Sequence, residues 1–261
     1  MFTPATKFGS KLRAAIYGPS GSGKTFTSLR LATGIGGRIG LIDSERGRAR
    51  KYADLFKFDV CEIEDRSIDS YLRVIDEAEK SGIDVLIIDS LSHAWAELLI
   101  EVDKAAGTRF RGNKWGAWSE GTPKQMNFID RLLAYRGHVI ATMRAATEWQ
   151  TETADGGKTK PVRVGLKPRQ GKDIEYEFDF LLEMSPEHFG TVIKDCSGKY
   201  QDQVIERPGE DFGRDLAAWL GEGAPPPEPI TSRARTEDQR RAETRRGPAS
   251  STGTAPPMAR Y

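Results

Sequence analysis

Eight consecutive residues near the start of the chain have the types and spacing of a phosphate-binding loop. The run Gly18–Thr25 matches the pattern G-x-x-x-x-G-K-S/T at every fixed position. Glycines let successive backbone N–H groups turn toward one anion, and a helix that begins there adds partial positive charge. A lysine at Lys24 would reach the β- and γ-phosphates, and a hydroxyl at Thr25 would bind Mg²⁺. The run therefore predicts a nucleotide site rather than an ordinary glycine turn. The predicted binding residues are Gly18, Pro19, Ser20, Gly21, Ser22, Gly23, Lys24, Thr25 and Phe26.

Two acidic residues at the ends of apolar segments could complete this chemistry. Asp89 ends the run Val85–Ile88, and a carboxylate there would hold Mg²⁺ directly or through water. A cap on the next helix is the alternative for Asp89. Glu45 follows the apolar segment 38–43, where a carboxylate could orient and deprotonate the water that attacks a γ-phosphate. A solvated loop charge is the alternative for Glu45.

Alternating strands and helices are predicted to position these residues. The third strand is apolar without alternation, which is typical of the buried centre of a parallel sheet. The pattern therefore predicts an α/β fold with a mainly parallel sheet flanked by helices. The predicted strands are 12–17, 38–43, 84–89 and 138–143, and the predicted helices are 26–33, 67–80, 91–105 and 122–135, the last opening at Thr122-Pro123 with a capping box.

Beyond Arg144 the pattern changes to a β-hairpin and then to a tail. Segments 147–153 and 160–166 are predicted strands, joined around the turn signal Asp155–Gly157. Further strands are predicted near 175–184 and 189–195, and a helix at 213–220. Residues 222–261 are rich in Pro, Arg, Ser, Thr and Gly, so they are predicted to be disordered. We therefore expect one domain over 1–221 and a disordered tail over 222–261.

The order and spacing of four segments are similar to the core of the RecA-type recombinases. These segments are Gly18–Thr25, Leu41–Glu45, Val85–Ser90 and Val139–Arg144. The resemblance implies a RecA-like P-loop NTPase that hydrolyses ATP with Mg²⁺ and uses Glu45 as general base. It also implies a γ-phosphate sensor before a DNA-binding loop. Arg144, after Met143, stands where that family has an Asn-Gln pair.

A closer resemblance covers roughly residues 10–220. The chain resembles the short RecA-like ATPases encoded by bacteriophages, which are labelled AAA-family ATP-binding proteins. Some of that group are implicated in single-strand annealing and recombination, which implies the same role here. The segments that carry this resemblance are 47–56, 89–95, 112–115 with 118–119, 142–144 and 174–179.

Two segments without acidic residues are candidates for contact with single-stranded DNA. Basic residues track phosphates and aromatic residues stack on bases in sequence-tolerant binding. A solvated charged face, or aromatic residues in a core, are the alternatives. The candidates in 104–118 are Arg109, Arg111, Lys114 and Trp115, and those in 156–172 are Lys158, Lys160 and Arg163. RecA-type ATPases also insert a neighbour's cation at the γ-phosphate, for which Lys167 and Arg169 are candidates.

The composition limits where the protein is expected to be located but does not identify its binding partner. The net charge is +1, and the two cysteines are too few for a disulfide framework. The longest apolar runs are too short to span a bilayer, so we expect a cytoplasmic protein without membrane contact, in the bacterial host if it is phage-encoded. The hypothesis is a Mg²⁺-dependent ATPase that assembles with itself as a ring or filament and binds single-stranded DNA, with a single-strand binding protein as a further partner. The alternatives are a P-loop kinase, a helicase-loader ATPase and an ATP-switched DNA-binding module.

Overall fold

The computed structural model describes residues 10–153, 159–171 and 174–221, with the backbone alone at 148–153 and 159–164. The described residues belong to one unit, Met1–Ala224. The predicted tail 222–261 and the candidate Lys158 lie outside the described residues. Lys160 and Arg163 are placed by their backbone only.

The described residues form nine strands, five helices and two 3₁₀ turns. The strands are β1 (Arg13–Gly18), β2 (Ile39–Asp43), β3 (Asp59–Glu62), β4 (Val85–Asp89), β5 (His138–Thr153), β6 (Thr159–Pro168), β7 (Phe180–Met184), β8 (Phe189–Asp195) and β9 (Val204–Glu206). The helices are α1 (Lys24–Ile35), α2 (Ile68–Lys80), α3 (Leu91–Thr108), α4 (Lys114–Leu133) and α5 (Glu210–Gly221), and the 3₁₀ turns are Arg48–Tyr52 and Ile174–Glu177.

The strands form one mixed sheet in the order β3-β2-β4-β5-β1-β7-β8-β9. The pairs from β3 to β7 are parallel, and β8 and β9 are antiparallel additions at one edge. Strand β6 pairs antiparallel with the far half of β5. The predicted α/β class, with a mainly parallel sheet, flanking helices and a β-hairpin extension, is confirmed.

Side-chain alternation along the central strand explains why helices cover both faces of the sheet. Leu86 and Ile88 pack into a cluster with residues of α2, α3 and α4. Val85 and Ile87 point the other way and pack with residues of α1 and α5. A strand that is apolar at every position must be covered on both sides, because successive side chains leave opposite faces. The carboxyl ends of β1, β2, β4 and β5 therefore meet at one edge of a rigid sheet.

Three sequence-based predictions about element boundaries are wrong. The strand predicted near 175–184 starts only at Phe180, because Ile174 and Phe178 pack into the core from a 3₁₀ turn at Ile174–Glu177 and the residues that follow it. The strand predicted to end at Met143 continues without a break into the hairpin, because nothing from Arg144 to Ala146 interrupts an extended backbone. The helix predicted to start at Thr122 belongs to α4, which begins at Lys114 after the N-cap Asn113 and contains Pro123 in its interior. Trp118, in the preceding turn, stacks on Trp95 of α3, and this packing outweighs the local capping signal.

Strands β3 and β9 were not predicted from the sequence. Both are short, and most of their residues are exposed. Neither therefore has a hydrophobic period that a sequence pattern could reveal.

Candidate nucleotide-binding and catalytic site

The phosphate-binding loop connects the end of β1 to the start of α1. Gly23 precedes the helix with φ 85°, a left-handed conformation that favours glycine. A Cβ on Gly18 would lie 2.5 Å from the carbonyl oxygen of Met184, so the approach of β7 also requires glycine there. The first turn of α1 contains no acidic residue. The partial positive charge of the helix N-terminus is therefore unopposed by its own first turn.

A cavity of about 910 Å³ opens beside this loop, and its size suits a nucleotide. It brings together the predicted residues Lys24, Glu45, Asp89, Arg144 and Arg169, which come from five different parts of the chain. Phe26 also lines it, packing edge-on against Tyr52 and Phe56. The lining residues that sequence reasoning missed as site residues are Thr27, Arg30, Arg48, Tyr52, Ala145, His188, Arg207 and Pro208.

The side chain of Lys24 lies within the loop. Its ammonium group donates hydrogen bonds to the carbonyl oxygens of Gly18 and Pro19, at 3.1 and 2.8 Å. Burial lowers the pKa of Lys24, and the nearby carboxylates of Asp89 and Glu45 oppose that change. An anion bound by the loop would replace these carbonyl contacts with charge-assisted hydrogen bonds.

The side chain of Asp89, at the end of β4, is hydrogen-bonded to α1 and to β5. Thr25 Oγ1 on α1 donates to Asp89 Oδ2 at 2.5 Å, and Thr142 Oγ1 on β5 donates to Asp89 Oδ1. Burial raises the pKa of Asp89, against the two hydroxyl hydrogen bonds, which lower it. The buried Ser90 hydroxyl beside it has no hydrogen-bond partner among the described residues and lines the cavity. A bound cation would satisfy that hydroxyl and favour the charged form of Asp89.

These donors fit Mg²⁺ held together with a nucleotide. Mg²⁺ is usually bound through one or two carboxylates plus substrate phosphates rather than by an all-protein cage. One carboxylate, Asp89, and one hydroxyl, Thr25, meet here. In the part of the chain that the structure describes, no group of three or more His, Cys, Asp or Glu side chains could hold a metal. A magnesium site at this place would therefore depend on the phosphates of the nucleotide.

Glu45 is held between two arginines at the other side of the cavity. Arg144 Nη2 donates to Glu45 Oε1 at 3.0 Å, and Arg48 Nη1 donates to Oε2 at 2.9 Å. The backbone N–H of Glu45 donates to Asp43 Oδ1 at 2.6 Å, which fixes the start of this loop. Burial acts to raise the pKa of Glu45, but the hydrogen bond and charge of Arg144, with the charge of Arg48, outweigh it and lower the pKa. The group is therefore a carboxylate, and its two strongest partners are cations.

The base of the β5–β6 hairpin is tied to the same edge. The backbone N–H of Arg144 donates to Ser92 Oγ at 2.9 Å, and that hydroxyl donates to the carbonyl oxygen of Arg169 at 2.9 Å. The N–H of Arg169 donates back to the carbonyl of Arg144 at 2.6 Å. Both ends of the hairpin thus meet at Ser92 in the first turn of α3, and Arg169 lines the cavity of its own chain. Lys167, two residues earlier, is exposed.

The basic segment 104–118 is differently arranged. Arg109 pairs with Glu120, and Lys114 pairs with Asp103 at 2.8 Å. Both acidic partners lie outside 104–118, so the lack of acids within the segment does not show that these cations are unpaired. Trp115 is 89 % exposed, whereas Trp118 packs against the core. The structure thus leaves Trp115 and Arg111 at the surface and gives Arg109 and Lys114 acidic partners.

Residues His188 and Arg207 come to the cavity through the antiparallel edge of the sheet. His188 Nδ1 lies 3.2 Å from the carbonyl oxygen of Ser22 in the loop, and the N–H of Arg207 donates to the carbonyl of His188 at 3.0 Å. In the sequence, His188 has no metal-ligand spacing with His93 or His138 and no nearby cysteine, which favours a structural or surface role. Its place depends on β7 pairing with β1, and the sequence carries no local signal of that pairing.

A parallel sheet with this loop between β1 and α1 and an acid at the end of β4 defines a P-loop NTPase fold. The chain matches the family model of the AAA domain over residues 10–206, and it belongs to that family. Membership supports ATPase activity and nucleotide binding with Mg²⁺. No curated protein matches the chain significantly. None of the helices among the described residues is long and apolar enough to cross a membrane.

Proposed function

We propose that the chain is a RecA-like, Mg²⁺-dependent ATPase that assembles with itself and binds single-stranded DNA to promote recombination or strand annealing. One observation carries the proposal. A carboxylate suited to activating water, Glu45, faces the same cavity as Lys24 and Asp89, and both ends of a basic hairpin reach that cavity through Arg144 and Arg169. An ATPase whose turnover responds to DNA needs such a connection between the site of chemistry and the binding arm.

Each residue has a defined part in hydrolysis. Lys24 and the loop amides bind the β- and γ-phosphates; Thr25 and Asp89 would hold Mg²⁺, which would neutralise phosphate charge. Glu45 accepts a proton from the attacking water while the water oxygen bonds to the γ-phosphorus. The bond from that phosphorus to the β–γ bridging oxygen breaks, and ADP and phosphate leave. Arg144 and Arg169 stabilise the charge of the transferred group.

The arginine partners of Glu45 make water activation dependent on the γ-phosphate. A carboxylate bound by two guanidinium groups is a weak base, because both ion pairs favour its charged form. A γ-phosphate carries more negative charge than one carboxylate and competes for Arg144, which lines the same cavity. Movement of the Arg144 side chain to the phosphate would raise the basicity of Glu45, beside the backbone contact of Arg144 with Ser92 at the base of the hairpin.

The hairpin is the proposed DNA-binding arm. The segment 156–172 contains six basic residues and no acid, and the paired half of β5 carries Glu148 and Glu152, with Glu152 opposite Lys160 in register. Strand β6 extends from the body of the sheet by pairing with β5. Lys158, Lys160 and Arg163 are the proposed phosphate contacts. The place of Arg169 on its own chain's cavity supports a role within one subunit, which leaves Lys167 as the proposed cation for a neighbour's nucleotide. A single-strand binding protein is a proposed further partner.

The deciding experiment is steady-state phosphate release from ATP, with and without oligothymidine, on wild type, Lys24→Ala and the control Lys80→Ala. We expect turnover that rises with DNA, is lost in Lys24→Ala, and is unchanged in Lys80→Ala, since Lys80 lies exposed at the end of α2. Transfer of phosphate to an acceptor without release would favour a kinase. Tight ATP binding with negligible turnover would favour a DNA-binding module switched by ATP.

A further inference from the structure

A buried histidine lies directly behind Glu45 and has no part in the mechanism above. His93 is in the first turn of α3 and is 7 % exposed. One ring nitrogen, Nδ1, lies 2.7 Å from Ser44 Oγ. The other, Nε2, lies 4.0 Å from Glu45 Oε1, the oxygen that also accepts from Arg144. The imidazole ring therefore bridges a serine and the carboxylate that we assign as the general base.

Ser44 gives the ring a fixed support. Its N–H donates to the carbonyl oxygen of Asp89 at 2.8 Å, and its hydroxyl accepts from the N–H of Ser90 at 2.9 Å. Arg66 Nη2 donates to the carbonyl of Ser44 at 2.7 Å. Ser44 is fully buried, so its hydroxyl is not available as a nucleophile. These contacts hold the imidazole ring of His93 at the carboxyl ends of β2 and β4, beside Glu45 and Asp89.

The negative charge of Glu45 decides which ring nitrogen of His93 carries the proton. The Ser44 hydroxyl has one proton and two acceptors in reach, His93 Nδ1 at 2.7 Å and the Asp89 carbonyl at 3.0 Å. A lone pair on Nε2 would face the Glu45 carboxylate at 4.0 Å, whereas a proton there is attracted to it, so the Ser44 hydroxyl donates to Nδ1. The ring proton is then on Nε2, where it faces the negative charge of Glu45. Burial, with the positive charges of Arg144 and Arg66, lowers the pKa of His93 to about 4, so the ring is uncharged near neutral pH.

We propose that His93 is a positioning residue that donates from Nε2 to Glu45 Oε1 and keeps the carboxylate in place when Arg144 turns to the γ-phosphate. The inference rests on the proposed role of Glu45 as general base. A neutral donor suits this task better than a third cation, because it orients the carboxylate without the charge that makes it a weak base. The shift needed is small, since a separation of 4.0 Å must shorten to about 3 Å for a hydrogen bond.

The kinetic test compares His93→Phe, which keeps a ring without a donor, with His93→Gln, whose amide nitrogen reaches the position of Nε2. We expect His93→Phe to lower kcat about tenfold to a hundredfold, with KM and the affinity for a non-hydrolysable ATP analogue unchanged. His93→Gln should recover most of the loss. His138→Phe is the matched control, because His138 is partly buried and lies at the start of β5, at the opposite edge of the sheet from Glu45.

Coupling between the two residues is tested in the Glu45→Gln background. We expect His93→Phe to cause no further loss there, because its effect passes through the carboxylate. An equal loss in both backgrounds would overturn the proposal. So would a loss confined to nucleotide affinity, or a His93→Gln variant as impaired as His93→Phe.

A second measurement does not depend on turnover. Ring-nitrogen NMR shifts of His93 near neutral pH should show an uncharged ring with its proton on Nε2. The shifts should change in Glu45→Gln and stay the same in Glu101→Gln, a control more than two turns further along the same helix. A proton on Nδ1, or shifts indifferent to Glu45, would overturn the inference even if the enzyme is active. If wild type releases no phosphate, the proposed function fails while this measurement still decides where the ring proton is.

Discussion

The nucleotide cavity and the segment 104–118 are both rich in cations, but the two regions differ in how their cations meet acidic residues. At the cavity, Arg48 and Arg144 converge on one carboxylate, and Arg169 lines the same space. On the helices, Arg109 and Lys114 each have their own acidic partner on the surface. Exposed pairs of that kind contribute about 0–1 kcal/mol and mark a solvated face. The number of acids that each cation contacts in the folded protein therefore indicates function better than the number of charges along the sequence.

The largest difference in kcat between the two regions is expected when a glutamate of each is replaced. Glu45→Gln keeps the shape of the side chain but removes its basicity, so we expect kcat for ATP to fall about 10²–10⁴-fold with nucleotide affinity retained. Glu120→Gln, which also loses an arginine partner, should leave kcat unchanged. Phosphate-release kinetics and analogue binding measure both quantities. Comparable kcat in the two variants would remove Glu45 from the mechanism.

The second largest difference in kcat is expected when an arginine of each region is replaced. Arg169→Ala should lower kcat by about 10²-fold, because a preorganised cation at the transferred phosphate is lost. Arg109→Ala should have no effect on kcat, since its partner is a surface acid. Mixing Arg169→Ala with Lys24→Ala subunits distinguishes the site of action. The mixture should stay inactive if Arg169 acts on its own chain's nucleotide, and recovery of turnover would show action on a neighbour.

A smaller and more graded difference is expected in DNA binding. Removing Lys160 or Arg163 from the hairpin should weaken binding to oligothymidine and reduce the slope of log affinity against log salt by about 0.7 for each lost phosphate contact. Removing Arg109 or Lys114 should leave the slope unchanged. Fluorescence titrations at several salt concentrations measure these slopes. Equal slopes for the hairpin variants and wild type would place the DNA elsewhere on the surface.

Features of the site that depend on a short stretch of sequence could be predicted, whereas contacts between distant segments could not. The loop Gly18–Thr25 and the acid at Asp89 sit next to apolar strands, so a short stretch of sequence is enough to place them at the carboxyl edge of a parallel sheet. Arg144 and Glu45 were predicted as separate site residues, but their ion pair was not. Such a contact depends on how β2 and β5 are ordered in the sheet, with β4 between them.

Long-range packing explains the errors as well. The proline at position 123 is a strong local start signal, yet α4 begins nine residues earlier, because the stacking of Trp118 on Trp95 joins its first turns to α3. His188 and His93 carried no sequence signal, since their partners Ser22 and Ser44 lie far away along the chain. A histidine becomes interpretable only when the groups on both ring nitrogens are known.

The smallest expected effects test whether the helical segment is a scaffold for the site rather than part of it. Gly121 of α4 faces α3, and a Cβ there would lie 2.5 Å from Val102 Cγ2. Gly107 of α3 is exposed, and a Cβ there would meet nothing within 4 Å. Gly121→Ala should therefore lower the free energy of unfolding by about 1–3 kcal/mol through overpacking, whereas Gly107→Ala should raise it by about 0.5–1 kcal/mol by removing a flexible residue from a helix. Denaturant unfolding measures both changes. Since neither residue touches the cavity, kcat per folded molecule should be the same in both variants, and a change in kcat for Gly107→Ala would give segment 104–118 a role in catalysis after all.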